Sequence, residues 1–109
     1  MSDRKQALQD LRDKVAAGTC DHGSFIVMDK PVDGIRAHHA YDGSLDAAKA
    51  LHDAVLPGWD IQMGTCEDDS FEASVAYPLR VKTYDGIASS LARAWLLAIL
   101  DALIAKETP

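Results

Sequence analysis

The side chains best suited to metal binding are two cysteines and four histidines. Cys20 and His22 could face the same way on an extended segment, and with Cys66 and either His38 or His39 they would supply a zinc ligand set. His38 and His39 are adjacent, so on a strand they point to opposite faces and only one could bind. The chain has no Cys-x-x-Cys or His-x-x-x-His pair. Histidines and cysteines that are scattered and bind no metal are therefore the favoured interpretation, and we expect no bound metal and no cofactor.

Nucleophilic chemistry would need a thiol beside a base, for instance Cys20 or Cys66 with His52. No local signature supports such a pair, and a buried free thiol behaves as a small apolar side chain. Trp59 and Trp95 could stack on a ligand, but both fall at core positions of their elements, which favours packing. The glycines form no phosphate-binding loop. We therefore expect a protein that is not an enzyme.

Acidic residues are concentrated in one part of the chain. Residues 50–79 hold six acids and no Lys or Arg, whereas the other residues hold eleven of each sign. Acidic residues favour solvated turns, and they also suit docking to a basic partner, so both interpretations stay open. Side chains at an exposed loop tip contribute little to folding stability, so we expect serine replacements at 67–69 to preserve the fold. The candidate partner-binding residues are Glu67, Asp68, Asp69, Asp60 and Glu72.

Composition limits the class of protein. With 109 residues, 48% hydrophobic content and a net charge of −6, the chain is expected to form one domain, residues 1–109. A negative balance argues against direct binding to a nucleic-acid backbone. The first residues show no secretory signal pattern, and the apolar run after Ala94 is interrupted by Asp101, so we expect no membrane association. Cytoplasmic localisation with reduced thiols follows.

Three helices are predicted from caps and periodicity. The first spans about residues 6–17, with Ser2 as a possible earlier cap and Gly18 as the stop. The second spans about 45–55, with Ser44 as the N-cap and a stop at Pro57-Gly58. The last starts after Ser89 or Ser90 and runs to about residue 106.

Strands are predicted between these helices. Residues 25–28 and 35–41 are interpreted as two short strands around an Asp33-Gly34 turn. Residues 59–63 and 71–77 alternate apolar and polar, which predicts half-buried strands. The alternation continues past Pro78 to residue 83, so one long strand and a turn followed by a third strand both stay open. Together the elements predict an α+β fold, a layered α/β/α sandwich with a small, mostly antiparallel sheet and three helices.

The last predicted helix has more apolar surface than one small sheet can cover. Leu97 lies between Arg93 and Asp101 on a face where a monomer would expose it. The first helix or a second protomer must cover that side, so a homodimer is expected. The candidate interface residues are Leu97, Ile104, Arg93 and Asp101.

One further pattern consists of Tyr41-Asp42-Gly43-Ser44-Leu45-Asp46-Ala47-Ala48, Leu51, Pro57-Gly58-Trp59 and the small residues of 86–94. Through this pattern, residues 41–106 resemble the phage ABA sandwich domain, a family of small phage and prophage proteins. Ser90 stands where the family often has proline, and Pro57 and Gly58 are adjacent where it often has an intervening residue. The resemblance implies a layered α/β/α arrangement, a phage or prophage origin and no catalytic residues.

These observations give three functional hypotheses. The first is a non-catalytic phage accessory protein that binds a host or phage protein with a basic surface, for example as an inhibitor of a bacterial defence of the anti-CRISPR type. The second is a small Cys/His-dependent enzyme or ligand-binding domain, which would need a deep pocket joining Cys20, His22 and Cys66. The third is a structural protein that associates only with itself. The first is preferred because it accounts for both the acidic segment and the resemblance.

Overall fold

A computed structural model describes residues 3–20, 24–28, 31–77 and 83–106, and within them the chain forms an α+β fold. Four α-helices and a three-stranded antiparallel sheet are present in this part of the chain, together with one 3₁₀ turn, Ser24–Val27. The helices are α1 (Asp3–Ala17), α2 (Pro31–Tyr41), α3 (Leu45–Val55) and α4 (Leu91–Lys106). The strands are β1 (Asp60–Thr65), β2 (Phe71–Ala76) and β3 (Thr83–Ala88).

Three helices end and begin where local signals predict. Gly18 follows α1 with a left-handed φ of 73°, which only glycine adopts readily. The Ser44 hydroxyl accepts a hydrogen bond from Ala47 N–H at 3.1 Å and caps α3. The Ser90 hydroxyl accepts one from Arg93 N–H at 3.1 Å and caps α4. Ser2 lies outside the described residues.

The predicted strands at 25–28 and 35–41 are wrong. Helix α2 takes the place of the strand predicted at 35–41, so the described ranges contain four helices and not three. Pro31 fixes the first helical φ, and Asp33 suits the positive end of the helix. Ala37 and Ala40 are fully buried, whereas Ile35 is 57% exposed. The helix therefore buries Asp33, two alanines and Tyr41 and carries larger aliphatic side chains outside, which hides its apolar period in the sequence.

The sheet is a meander in the order β1-β2-β3 with antiparallel pairing. One continuous strand over 71–83 is therefore wrong; Pro78 itself lies outside the described residues. Asp85 and Gly86, which precede the last helix, belong to β3. The strand predicted at 59–63 is confirmed as β1, but Met63 is 48% exposed because the helices cover β2 and β3.

Helix α4 is the central layer of the molecule. It packs on one side against β2 and β3 and on the other sides against α1, α2 and α3. Ten of its residues are buried, which accounts for its nearly continuous apolar sequence. The layers therefore run sheet, α4, then the other three helices. Within the described residues, no helix combines the length and apolar character needed to cross a bilayer.

Candidate functional site

The loop between β1 and β2 carries the acidic turn, defined as Glu67, Asp68 and Asp69. Asp69 N–H donates to the Cys66 carbonyl oxygen at 3.2 Å, and Cys66 N–H donates to the Ser70 carbonyl oxygen at 2.9 Å. Asp69 has a φ of 66°, in the left-handed position that glycine or asparagine usually takes in such a loop. Folding therefore places a conformational demand on this side chain, which the sequence interpretation overlooked.

Asp68 organises the same turn. Its Oδ1 accepts hydrogen bonds from the Ser70 hydroxyl at 2.6 Å and from the Ser70 N–H at 3.2 Å. The hydroxyl bond first, and the backbone bond next, hold the pKa of the Asp68 carboxyl below its ordinary value. The charged form is therefore favoured in the folded hairpin. This contribution to stability is present above the unfolded-state pKa and is lost as the pH falls through the folded-state pKa.

Replacing Ser70 by alanine is expected to raise the pKa of Asp68 towards its ordinary value, because the strongest hydrogen bond to the carboxylate disappears. Carboxyl ¹³C chemical shifts followed through an acid titration would report the change. A Ser74→Ala variant, which removes a hydroxyl bonded to Asp85 instead, is the control and should leave the Asp68 titration unchanged. An unaltered Asp68 titration in the Ser70 variant would contradict this assignment.

Two further predicted acids, Asp60 and Glu72, lie on one face of the sheet. Strand register pairs Asp60 with Ala76 and Glu72 with Gly64, and side chains alternate between faces along each strand. Asp85 joins them, since it pairs with Ser74 on the same face and accepts a hydrogen bond from its hydroxyl at 2.5 Å. We call this solvent-facing side the open face.

Asp85 was missed as a candidate because the predicted strand alternation ended at residue 83. Its neighbour on the open face, Ile87, is 59% exposed, since α4 covers the opposite side of the sheet. The three strands contain no Lys or Arg, so no basic side chain of the strands offsets Asp60, Glu72 and Asp85. The acidic turn lies at the hairpin end of the open face, which carries Asp60, Glu72 and Asp85 along its length; we call the two together the acidic region.

A shallow open groove of about 210 Å³ lies beside β1. Its floor is Gly64, where an added Cβ would meet nothing within 4 Å. None of its lining residues is a cysteine or a histidine, so it does not join the side chains that an enzyme of the Cys/His type would need. The groove is lined by Gln62, Met63, Gly64, Thr65, Glu72 and Ser74.

The described candidate metal ligands lie in different parts of the fold: Cys20 follows α1, His38 and His39 lie in α2, and Cys66 lies in the loop after β1. His38 and His39 lie on helix α2 and not on a strand, so the expected opposite-face arrangement is wrong. The His38 ring stacks on Phe25 with centroids 5.4 Å apart, while His39 is exposed. Among the described residues, no group of three or more His, Cys, Asp or Glu side chains could hold a metal ion. His22 lies outside them.

His52 has a structural role. It is 3% exposed, its Nδ1 accepts a hydrogen bond from Trp95 Nε1–H at 3.1 Å, and its Nε2 lies 2.9 Å from the Trp59 carbonyl oxygen. Because Nδ1 is the acceptor, Nε2 carries the hydrogen and donates to Trp59. Both ring nitrogens are engaged, so His52 is not free to act as a base for Cys20 or Cys66, which form no disulfide either.

The two tryptophans differ in environment. Trp95 is 6% exposed and belongs to the core, as its position in the helix predicts. Trp59 is half-buried and contacts Tyr77 and Tyr84, with ring centroids 5.7 Å and 6.1 Å away. Trp59 therefore packs in an aromatic cluster at the end of the sheet, against the edge of the core.

The side chains suggested for a dimer interface have partners within the chain. Leu97 is 2% exposed, and Ile104 packs against the core. Arg93 donates two hydrogen bonds to the Tyr41 carbonyl oxygen, at 3.2 and 3.1 Å, and Asp101 is paired with Arg12 of α1. None of them needs a second protomer to cover it. The dimer stays a prediction, to be tested by light scattering.

The comparisons with known proteins identify no relative. No family model, no curated protein and no solved structure matches the chain. The geometry of the acidic region is therefore the principal guide to function.

Proposed function

We propose that this chain is a small non-catalytic accessory protein that acts by binding a protein with a basic surface. The observation that carries the proposal is the acidic region, in which the acidic turn and the open face present six exposed carboxylates and the three strands present no Lys or Arg. Clustered charge of one sign on an exposed surface attracts an oppositely charged partner and raises the association rate. The resemblance of residues 41–106 is the ground for proposing a phage or prophage origin and action in the host bacterial cytoplasm.

Inhibition of a bacterial defence protein of the anti-CRISPR type is one specific form of this proposal. Proteins that handle nucleic acids present basic surfaces to phosphate backbones, and an acidic region of this kind would compete for them. Direct binding of this chain to nucleic acid is disfavoured by the same charge, so the partner is the protein and not its substrate.

The test neutralises the acidic turn without disturbing its conformation. The amide variant carries Glu67→Gln, Asp68→Asn and Asp69→Asn. Asparagine keeps the Oδ1 acceptor that Ser70 uses and tolerates the left-handed φ at position 69, where serine would be less suitable. We expect its association rate with a basic partner to fall about tenfold at low ionic strength, with little change at high salt.

The control must remove the same charge elsewhere. A variant with Asp10→Asn, Asp13→Asn and Asp46→Asn changes three exposed acids on α1 and α3 and leaves the acidic region intact. Partners would be captured from bacterial lysate on immobilised wild-type chain and then measured individually by surface plasmon resonance. Equal association rates for the wild type, the amide variant and this control at low salt would overturn the proposal for the acidic turn.

A further inference from the structure

Strand β1 is an edge strand in the part of the chain that the structure describes. Among the residues that the structure describes, only β2 pairs with β1. Cys66 N–H donates to the Ser70 carbonyl oxygen at 2.9 Å, which makes these two residues a hydrogen-bonded pair. In an antiparallel ladder such pairs alternate, so every second residue directs its N–H and C=O towards β2. The residues that face β2 are Gly64, Gln62 and Asp60. The residues that direct these groups to the free edge are Ile61, Met63 and Thr65, which we call the edge triplet.

The two faces of β1 differ in chemistry. Met63 is 48% exposed and shares its face with half-buried Ile61, so an added strand would find apolar surface there. The other face carries Asp60 and Glu72, and Glu72 lies opposite Gly64. Because Gly64 has no side chain, the Glu72 carboxylate can reach across the groove towards a strand lying on the edge.

Charge selects among the possible occupants of the edge. A second copy paired antiparallel about Met63 would bring Asp60 of one protomer beside the acidic turn of its partner. No Lys or Arg of the strands would offset that repulsion. An extended segment with Lys or Arg at alternate positions would place those side chains on the open face, near Asp60 and Glu72. Its intervening apolar side chains would contact Ile61 and Met63.

We infer that the basic partner binds by adding an extended segment, with alternating basic and apolar residues, to the free edge of β1. The inference rests on the proposed function and specifies its binding mode: main-chain hydrogen bonds come from the edge triplet, and the acidic region selects the basic side chains.

The probe is a synthetic nine-residue peptide of alternating lysine and valine, titrated into ¹⁵N-labelled protein. On binding, the Ile61, Met63 and Thr65 amides are expected to become protected from hydrogen exchange, whereas Gln62 and Gly64 are protected beforehand by β2. When the peptide adds antiparallel to β1 with its lysines on the open face, the main-chain nitrogens of its valines face β1, and N-methylation of these nitrogens should weaken binding at least about tenfold. N-methylation of the main-chain nitrogens of the lysines, which point away from β1, should leave binding within about threefold.

A protein variant tests the same contact from the other side. Met63→Pro removes an N–H that does not bond to β2, and edge strands tolerate proline at such a position. This substitution should weaken peptide binding at least about tenfold. Met63→Thr shortens the side chain but keeps the N–H, and should stay within about threefold. If Met63→Pro fails to fold, the N-methylated peptides decide the question on the wild-type chain.

The outcomes separate the inference from the proposed function. Loss of binding with methylated valines and with Met63→Pro would support strand addition. Binding that is insensitive to both changes, but weakened by salt and in the amide variant, would overturn strand addition and leave the proposed function standing. Absence of any charge-dependent binding would overturn both. Concentration-dependent protection of the edge triplet without peptide would overturn the inference in favour of a second copy of the chain.

Discussion

Replacing Gly86 by alanine is expected to lower the free energy of unfolding by about 3 kcal/mol. A Cβ at this position would overlap the Ala94 carbonyl oxygen and stand 2.6 Å from Leu97 Cβ and 2.8 Å from Ala98 N. Two of these three are main-chain atoms of α4, which no side-chain rotation can move. Helix α4 would have to lift away from β3 and lose packing along the core.

Urea denaturation followed by circular dichroism would measure the change in stability. Gly64→Ala is the matched control, because a Cβ there meets nothing within 4 Å and alanine is at least as well suited to a strand. It should change stability by less than about 0.5 kcal/mol. A Gly86→Ala protein as stable as the Gly64→Ala protein would mean that α4 does not approach β3 as closely as described.

Replacing His52 by alanine is expected to cost about 4 kcal/mol, from the cavity and from two buried polar groups left without partners. Trp95 Nε1–H would lose its acceptor and the Trp59 carbonyl oxygen would lose its donor. His52 is 3% exposed, so water has little access to replace either bond. The side chain thus connects α3 to both α4 and the start of β1.

Two conservative variants divide this effect between the two hydrogen bonds. In His52→Asn, the Oδ1 atom can take the place of Nδ1 and accept from Trp95; in His52→Gln, the Nε2 atom can take the place of the ring Nε2 and donate to Trp59. Both should be more stable than His52→Ala, as measured by urea denaturation. Lys49→Ala, which removes only the exposed pair with Asp53, is the control and should have little effect. Equal stability of all three His52 variants would contradict the paired hydrogen bonds.

The tautomer of His52 offers an independent check on the same pair. The ¹⁵N shifts of the imidazole should identify Nε2 as the protonated nitrogen and Nδ1 as the acceptor. In Trp95→Phe the donor to Nδ1 is absent, so a further His52→Ala change should cost less than it does in the wild type. Strictly additive effects would show that the two side chains are not coupled.

Helices α1, α3 and α4 could be predicted from the amino-acid sequence because their signals are local. The hydroxyls of Ser44 and Ser90 accept hydrogen bonds within the next turn, and Gly18 takes the left-handed conformation that ends α1. The acidic turn was located for the same reason, since it joins two strands that are close in the chain. Such features depend on neighbours within a few residues, so they can be recognised without the fold.

Helix α2 could not be predicted because, apart from Tyr41 at its end, its buried positions hold alanine and aspartate. Ala37 and Ala40 are buried while Val32 and Ile35 are 45% and 57% exposed, which reverses the usual relation between size and burial. Gly34, interpreted as a turn residue, lies in the helix where a Cβ would come within 2.8 Å of the Phe25 carbonyl oxygen. Glycine is required at position 34 because the Phe25 backbone approaches α2 closely there, and a contact of this kind depends on the tertiary structure.

The central position of α4 is likewise a consequence of tertiary packing. Its apolar sequence shows that it must be covered, but α1, α2 and α3 provide that cover on the sides where a second protomer was expected. Burying α4 between the sheet and these helices leaves the opposite face of the sheet in solvent, and strand register places Asp85 on that same face as Asp60 and Glu72. Charge content is a property of the sequence, whereas the surface that the charges share depends on strand register and on which face of the sheet the helices cover.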